Sequence, residues 1–131
     1  MVIYLSGLSG SAFHELGHIL GCRIWRLPIS SVQIGSGPSL AVGRLRVGLI
    51  PWGGAVSFAP LELSRGGLLM VYLAGPIAST VFVSGTIAGH TLWGWSISVV
   101  IVASLQLAIS LIPTERSDLS NSFALRKGPR A

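Results

Sequence analysis

Charge is what this chain most lacks. Charged residues make up 10% of its 131 positions, against about a quarter in an ordinary soluble domain. Only four acids are present, Glu15, Glu62, Glu115 and Asp118, too few to solvate the surface of a water-soluble fold. A water-soluble fold is therefore excluded as the expectation. Cysteine is nearly absent too: Cys22 stands alone, so no internal disulfide is possible, and its place at the end of an apolar run reads as a buried, inert thiol. The start, MVIYLSG, lacks the positive residues of a cleavable leader, and none is expected.

What is present in excess is apolar. Half of the residues are hydrophobic and the mean hydropathy is +0.72. Three runs, about 2–22, 67–88 and 92–113, reach the ~20 residues that a spanning helix needs. The predicted fold class is a membrane α-helical protein. It has three transmembrane helices and a small membrane-associated β-sheet or hairpin between the first and second, all in one unit over 1–131. The β region, about 31–58, contains the strand-like runs SVQI, LAVGRLRVGLI and AVSF between glycine and proline breaks. Arg44 and Arg46 alternate with Leu45 and Val47 there, as in a half-exposed strand. Gly17 and Gly21, and likewise Gly85 and Gly89, form small-xxx-small pairs suited to close helix packing. The four tryptophans and two tyrosines suit interfacial anchoring or core packing equally.

The net charge of +5 reads as topology, not as nucleic-acid binding. Arg23, Arg26, Arg44, Arg46 and Arg65 lie in the first connection, and Arg116, Arg126, Lys127 and Arg130 in the polar tail 114–131, where 117–127 suits a short helix. With three spans these share one side, which the positive-inside rule makes cytoplasmic. The N-terminus and the His90 loop then face outward. The expected setting is a multi-pass protein of a prokaryotic plasma membrane.

Within the first run, the stretch SAFHELGHILG sets His14, Glu15 and His18 where an ionisable group is expensive and so points to function. On a helix, positions i and i+4 share a face, so His14 and His18 suit one Zn²⁺ ion. Glu15, next to the first histidine, suits the general base that deprotonates a water activated by the metal. The competing reading is a polar pair satisfied by helix–helix hydrogen bonds. His14 lies ~18 Å into the first run at 1.5 Å per residue, leaving the metal about 10 Å from the cytoplasmic edge of a ~30 Å core. A third ligand must come from that side, where Glu115 and Asp118 follow the third run. His90 is placed at the opposite face and Glu62 at the surface.

These motifs resemble those of the site-2 protease family of intramembrane zinc metalloproteases. FHELGH is similar to its ligand-and-base motif, and IGSGPSL with LIPWGGAVSF to its membrane-associated β region. AGPIAS resembles its second-span pattern, with Gly75 and Ser79 in place, and SLIPTERSDL its third-ligand segment. Leu119 stands where the family has Gly after the Asp, and Ser110 where an Asn is common. Over about residues 5–120, the resemblance implies one catalytic Zn²⁺ held by His14, His18 and Asp118, with Glu15 as base. It implies hydrolysis of peptide bonds in or near the transmembrane segment of a single-span membrane protein, with the lipid bilayer as the other partner. Gly35, Gly37 and Pro38 would shape one turn of the β region and Gly53 and Gly54 another, either to clamp an extended substrate or only to connect strands. Ser79 suits a hydrogen bond near the site, although tight packing explains the small residues of AGPIAS more simply. Two other readings compete: a proteolytically silent metal-binding scaffold of the same fold, and a small metal transporter, which would need ligands at several depths. Oligomeric state has no signature in the chain.

Overall fold

The computed structural model describes residues 1–58 and 64–111. It contains helix α1 (Val2–Ile24), strands β1 (Ile29–Val42) and β2 (Leu45–Phe58), and helices α2 (Arg65–Trp93) and α3 (Ile97–Leu111). Glu62 and the whole tail, with Glu115, Asp118, Leu119 and the helix expected over 117–127, lie outside the described residues.

Helix α1 is the central element and packs on α2, α3 and both strands. Its many Gly and Ser residues are poor helix formers, so packing must sustain it. Its buried positions include Gly7, Gly10, Ser11, Gly17, Gly21 and Cys22, a stripe with almost no side-chain bulk. A Cβ on Gly17 would run into the Ala74 carbonyl of α2, and one on Gly21 would stand 3.3 Å from the Val71 Cα. The two helices therefore meet backbone against backbone, antiparallel, with later residues of α1 facing earlier residues of α2. The other glycine pair behaves differently. Gly89 makes room for the Trp95 ring, while Gly85 has nothing within 4 Å of its missing Cβ among the described residues.

α1 ends in a Schellman motif. The Leu27 N–H donates to the Cys22 carbonyl at 2.8 Å, and the Arg26 N–H to that of Arg23 at 3.1 Å. Leu27 and Cys22 join Val71 in a small apolar cluster, completing the hydrophobic contact typical of this cap. The left-handed position is held by Arg26, at φ 55, where glycine is usual.

Strands β1 and β2 form one antiparallel two-stranded sheet. The run LAVGRLRVGLI is not one strand. Val42 pairs with Leu45, so Gly43-Arg44 is a two-residue hairpin loop, with Gly43 at φ 61 as such turns require at their first position. Arg44 belongs to this turn, and its guanidinium donates to the Ile29 carbonyl at 3.4 Å. The strands also double over. Val32, Gln33 and Ile34 are flanked by Leu45, Arg46 and Val47 on one side and by Val56, Ala55 and Gly54 on the other. Positive φ at Gly35, Gly37 and Gly53 makes these bends possible.

Helix α2 starts at Ser64, whose Oγ accepts from the Gly67 N–H at 3.2 Å, and stops at left-handed Gly94, φ 67. Of the three helices expected to span, α2 alone among the described residues is long and apolar enough to cross a membrane. α1 has the length, with 23 residues, but its small and polar residues dilute its hydropathy. α3 is apolar but has 15 residues, short of the ~20 needed.

Burial is inverted relative to a water-soluble protein. Among the described residues the buried hydrophobics are Cys22, Leu27, Val71, Val102 and Ala103, while Ser6, Ser11, Glu15, His18, Ser79 and Thr86 are buried and polar. Outward-facing positions carry Val2, Ile3 and Leu20 of α1, Met70, Ile77, Val81 and Leu92 of α2, and Ile97, Ile101 and Ile109 of α3. Apolar surface on this scale is costly in water and neutral in lipid.

The cap makes a test. Arg26→Gly removes a left-handed side-chain penalty of about 1 kcal/mol, so thermal unfolding followed by circular dichroism in detergent is expected to shift upward. An unchanged or lower midpoint would contradict the strain assigned to Arg26.

Candidate metal centre

His14, Glu15 and His18 lie on consecutive turns of α1 where it faces α2 and the sheet. Glu15 is 3% exposed and His18 7%, so lipid and bulk water are both excluded from them. Each imidazole is held by its Nδ1. His18 Nδ1 is 2.8 Å from the Val71 carbonyl. That oxygen can only accept, so Nδ1 carries the proton and the neutral ring keeps its lone pair on Nε2. His14 Nδ1 is 2.8 Å from Ser79 Oγ.

The two Nε2 atoms face each other at 3.3 Å. Two imidazole nitrogens bound to one tetrahedral zinc at about 2.0–2.1 Å stand ~3.3 Å apart, so the pair already has the separation a shared ion demands. The Ser79 hydroxyl suits both states of the pair. When it accepts from Nδ1–H of His14, both Nε2 lone pairs converge and want a cation between them. When it donates instead, His14 Nε2–H donates to His18 Nε2.

Space for this arrangement comes from α2. Val71, Gly75 and Ser79 recur every four residues and so form one stripe toward α1. A Cβ on Gly75 would strike His18 Nε2 and come within 2.8 Å of His14 Nε2. The small residues of AGPIAS thus serve separate ends. Gly75 leaves room at the two facing Nε2 atoms, Ser79 orients a ring, and Ala74 and Ala78 pack under Gly17.

The sheet closes the other side. A Cβ on Gly54 would overlap Glu15 Oε1 and stand 2.6 Å from the Gln33 carbonyl, so β2 passes the carboxylate at backbone distance. The remaining turn residues do not touch the carboxylate or the imidazoles. Gly35 sits where β1 crosses Gly48 and Ile50, Gly37 lies against the Ile50 side chain, and Pro38 is exposed on β1. Gly53 has nothing within 4 Å of its missing Cβ among the described residues.

The structure therefore brings His14, Glu15, His18, Gly54, Gly75 and Ser79 together. It does not bring in Gly35, Gly37, Pro38 or Gly53. His90 lies far along α2, about 16 Å beyond Ser79 at the helical rise, with its Nδ1 against the Trp95 carbonyl. Among the described residues no group of three or more His, Cys, Asp or Glu is arranged to hold a metal ion; both candidates for a third ligand, Glu115 and Asp118, lie outside them. Sequence reasoning did not find the Val71 carbonyl, because a backbone acceptor has no signature in side-chain identity. It also passed over Gln106, the one amide in the apolar run ISVVIVASLQLAISL, although a polar side chain there is itself a signal.

Substitution tests the cradle. Gly75→Ala favours the helix locally but places a methyl on both nitrogens. The expected result is at least a roughly tenfold loss of zinc affinity with helical content intact. Ser79→Ala, which removes only an orienting partner, is expected to lose less. Gly75→Ala binding zinc as tightly as the wild type would contradict this geometry.

One family model matches the chain, that of Peptidase family M50, over residues 3–125. No curated protein matches it.

Proposed function

The chain belongs to Peptidase family M50, the site-2 protease family that its motifs resemble, and from that premise we propose that it is an intramembrane zinc endopeptidase cutting single-span membrane proteins. The observation that carries this reading is the imidazole pair, with Nε2 atoms 3.3 Å apart, seated against the bare backbone of Gly75 and beside a buried carboxylate.

The donor set suits zinc: two neutral imidazoles whose far nitrogens are fixed by a carbonyl and a hydroxyl. Asp118 is the proposed third ligand, on the resemblance of its segment. The bound ion would supply Lewis acidity, polarising a peptide carbonyl and acidifying water. Glu15 takes the proton from the attacking water as the new C–O bond forms. It returns that proton to the amine nitrogen as the C–N bond breaks, so the carboxylate ends as it began. The sheet excludes bulk water from Glu15 at Gly54, and its strands offer backbone groups to which an unwound substrate can pair. Peptide bonds inside a helix are shielded from such attack, so the substrate must be extended where it is cut.

The inverted burial supports a lipid setting, with α1, α2 and α3 as the proposed spans. The distribution of arginines supports a cytoplasmic first connection and tail, with the N-terminus outside.

The test uses protein purified in detergent, its zinc content, and single-span peptides, for the wild type and Glu15→Gln. Expected are one zinc per chain in both and cleavage by the wild type alone. Cleavage that survives Glu15→Gln would contradict the role of Glu15. Zinc bound without cleavage by the wild type would favour a silent scaffold of the same fold.

A further inference from the structure

A second polar contact, away from the histidines, ties three elements together. Gln106 of α3 donates from Nε2 to the Gly7 carbonyl at 2.7 Å, to Ser11 Oγ at 2.9 Å and, at 3.4 Å, to the Pro51 carbonyl. Ser11 Oγ donates to the same Pro51 carbonyl at 3.1 Å. Gly7 and Pro51 present only carbonyls, which assigns the amide: nitrogen toward them, oxygen away. The oxygen lies on Gly10, where a Cβ would overlap it, and among the described residues it is buried without a hydrogen-bond partner.

The Pro51 carbonyl needs these donors. Pro51 lies at the break in the sheet register, between the Ser36–Ile50 pair and the Ile34–Gly54 pair, where no strand partner is assigned. It seats directly on α1, its carbonyl oxygen 3.1 Å and its Cβ 3.2 Å from the missing Cβ of Gly7. Three residues later, β2 reaches Gly54 and the Glu15 carboxylate. Strand and helix keep step over this stretch. Pro51 to Gly54 spans about 10 Å of extended chain. The helix from Gly7 and Ser11 to Glu15 rises about 6–12 Å. Fixing β2 at Pro51 therefore fixes where Gly54 falls, and a slip of one residue would turn the other face of the strand to the carboxylate.

We infer that Gln106 is a positioning residue, which latches strand β2 to α1 at Pro51 and thereby sets Gly54 over Glu15. It touches neither substrate nor metal. Its effect on turnover passes through β2, and that part of the inference rests on the proposed proteolysis. The location suits a latch: an amide in an apolar helix finds few competing partners, and its loss leaves a buried carbonyl with one donor fewer.

Gln106→Met keeps the volume and removes the donor. Hydrogen–deuterium exchange of the zinc-loaded full chain reads the strand directly. Amides over 52–56 are expected to exchange about tenfold faster, while α1 around 14–18 keeps its protection. Cleavage of a single-span peptide, expressed per bound zinc, is expected to show kcat reduced on the order of tenfold to a hundredfold with zinc content and KM unchanged. General loosening of the fold would instead lower zinc content and helix protection together. If Gln106→Met destabilises the protein, Ser11→Ala removes one partner of the latch and is expected to show the same pattern at smaller amplitude. Unchanged exchange over 52–56 overturns the latch, and faster exchange with unchanged kcat overturns its positioning role. If the wild type does not cleave, the functional reading fails, and the exchange result alone decides for or against the latch.

Discussion

Two neutral imidazoles cannot rest with their lone pairs pointed at each other unless something positive lies between them or one of them turns its proton inward. That constraint organises the protein. His14 and His18 share a helix face by spacing alone, but spacing does not decide which nitrogens meet. The Val71 carbonyl decides it for His18 and Ser79 supplies the partner for His14. Both come from α2, which must lie almost in backbone contact with α1 to reach them. The glycines of α1 follow from this: Gly17 and Gly21 let α2 approach, and Gly75 answers from the other side.

The inverted distribution of polar and apolar residues is the energetic counterpart. Hydrophobic burial does little to hold helices together when their surroundings are also apolar. Close approach of small residues and a few internal hydrogen bonds must do so instead. The interior accordingly holds serines, a threonine, a glutamate and a histidine, while leucines, isoleucines and valines face outward. Each buried polar contact then both stabilises and positions. Ser79 packs in α2 and orients a ring; Ser11 lies under the sheet and completes the donor set on the Pro51 carbonyl.

How legible this was depended on the range of the interaction. The meeting of His14 with His18 was visible in HELGH because i, i+4 geometry is local. The β region was visible in its punctuation, yet LAVGRLRVGLI read as one strand, because Gly43-Arg44 becomes a turn only when Val42 and Leu45 pair across it. The doubling of the strands at Gly35 and Gly53 was likewise hidden, since register is a property of partners. Packing explained the small residues of AGPIAS in outline, but the different duties of Gly75 and Ser79 required the opposing helix. Among the described residues α2 alone has both the length and the apolarity of a span, because the small and polar residues that dilute the hydropathy of α1 are those that face α2, α3 and the sheet.

Zinc K-edge absorption of the metal-loaded protein measures the central contact most directly. Two imidazole nitrogens at about 2.0–2.1 Å, reduced to one when either His14 or His18 is replaced by alanine, is the expected spectrum. A metal shell dominated by sulfur, or one unaltered by loss of either histidine, would contradict the account.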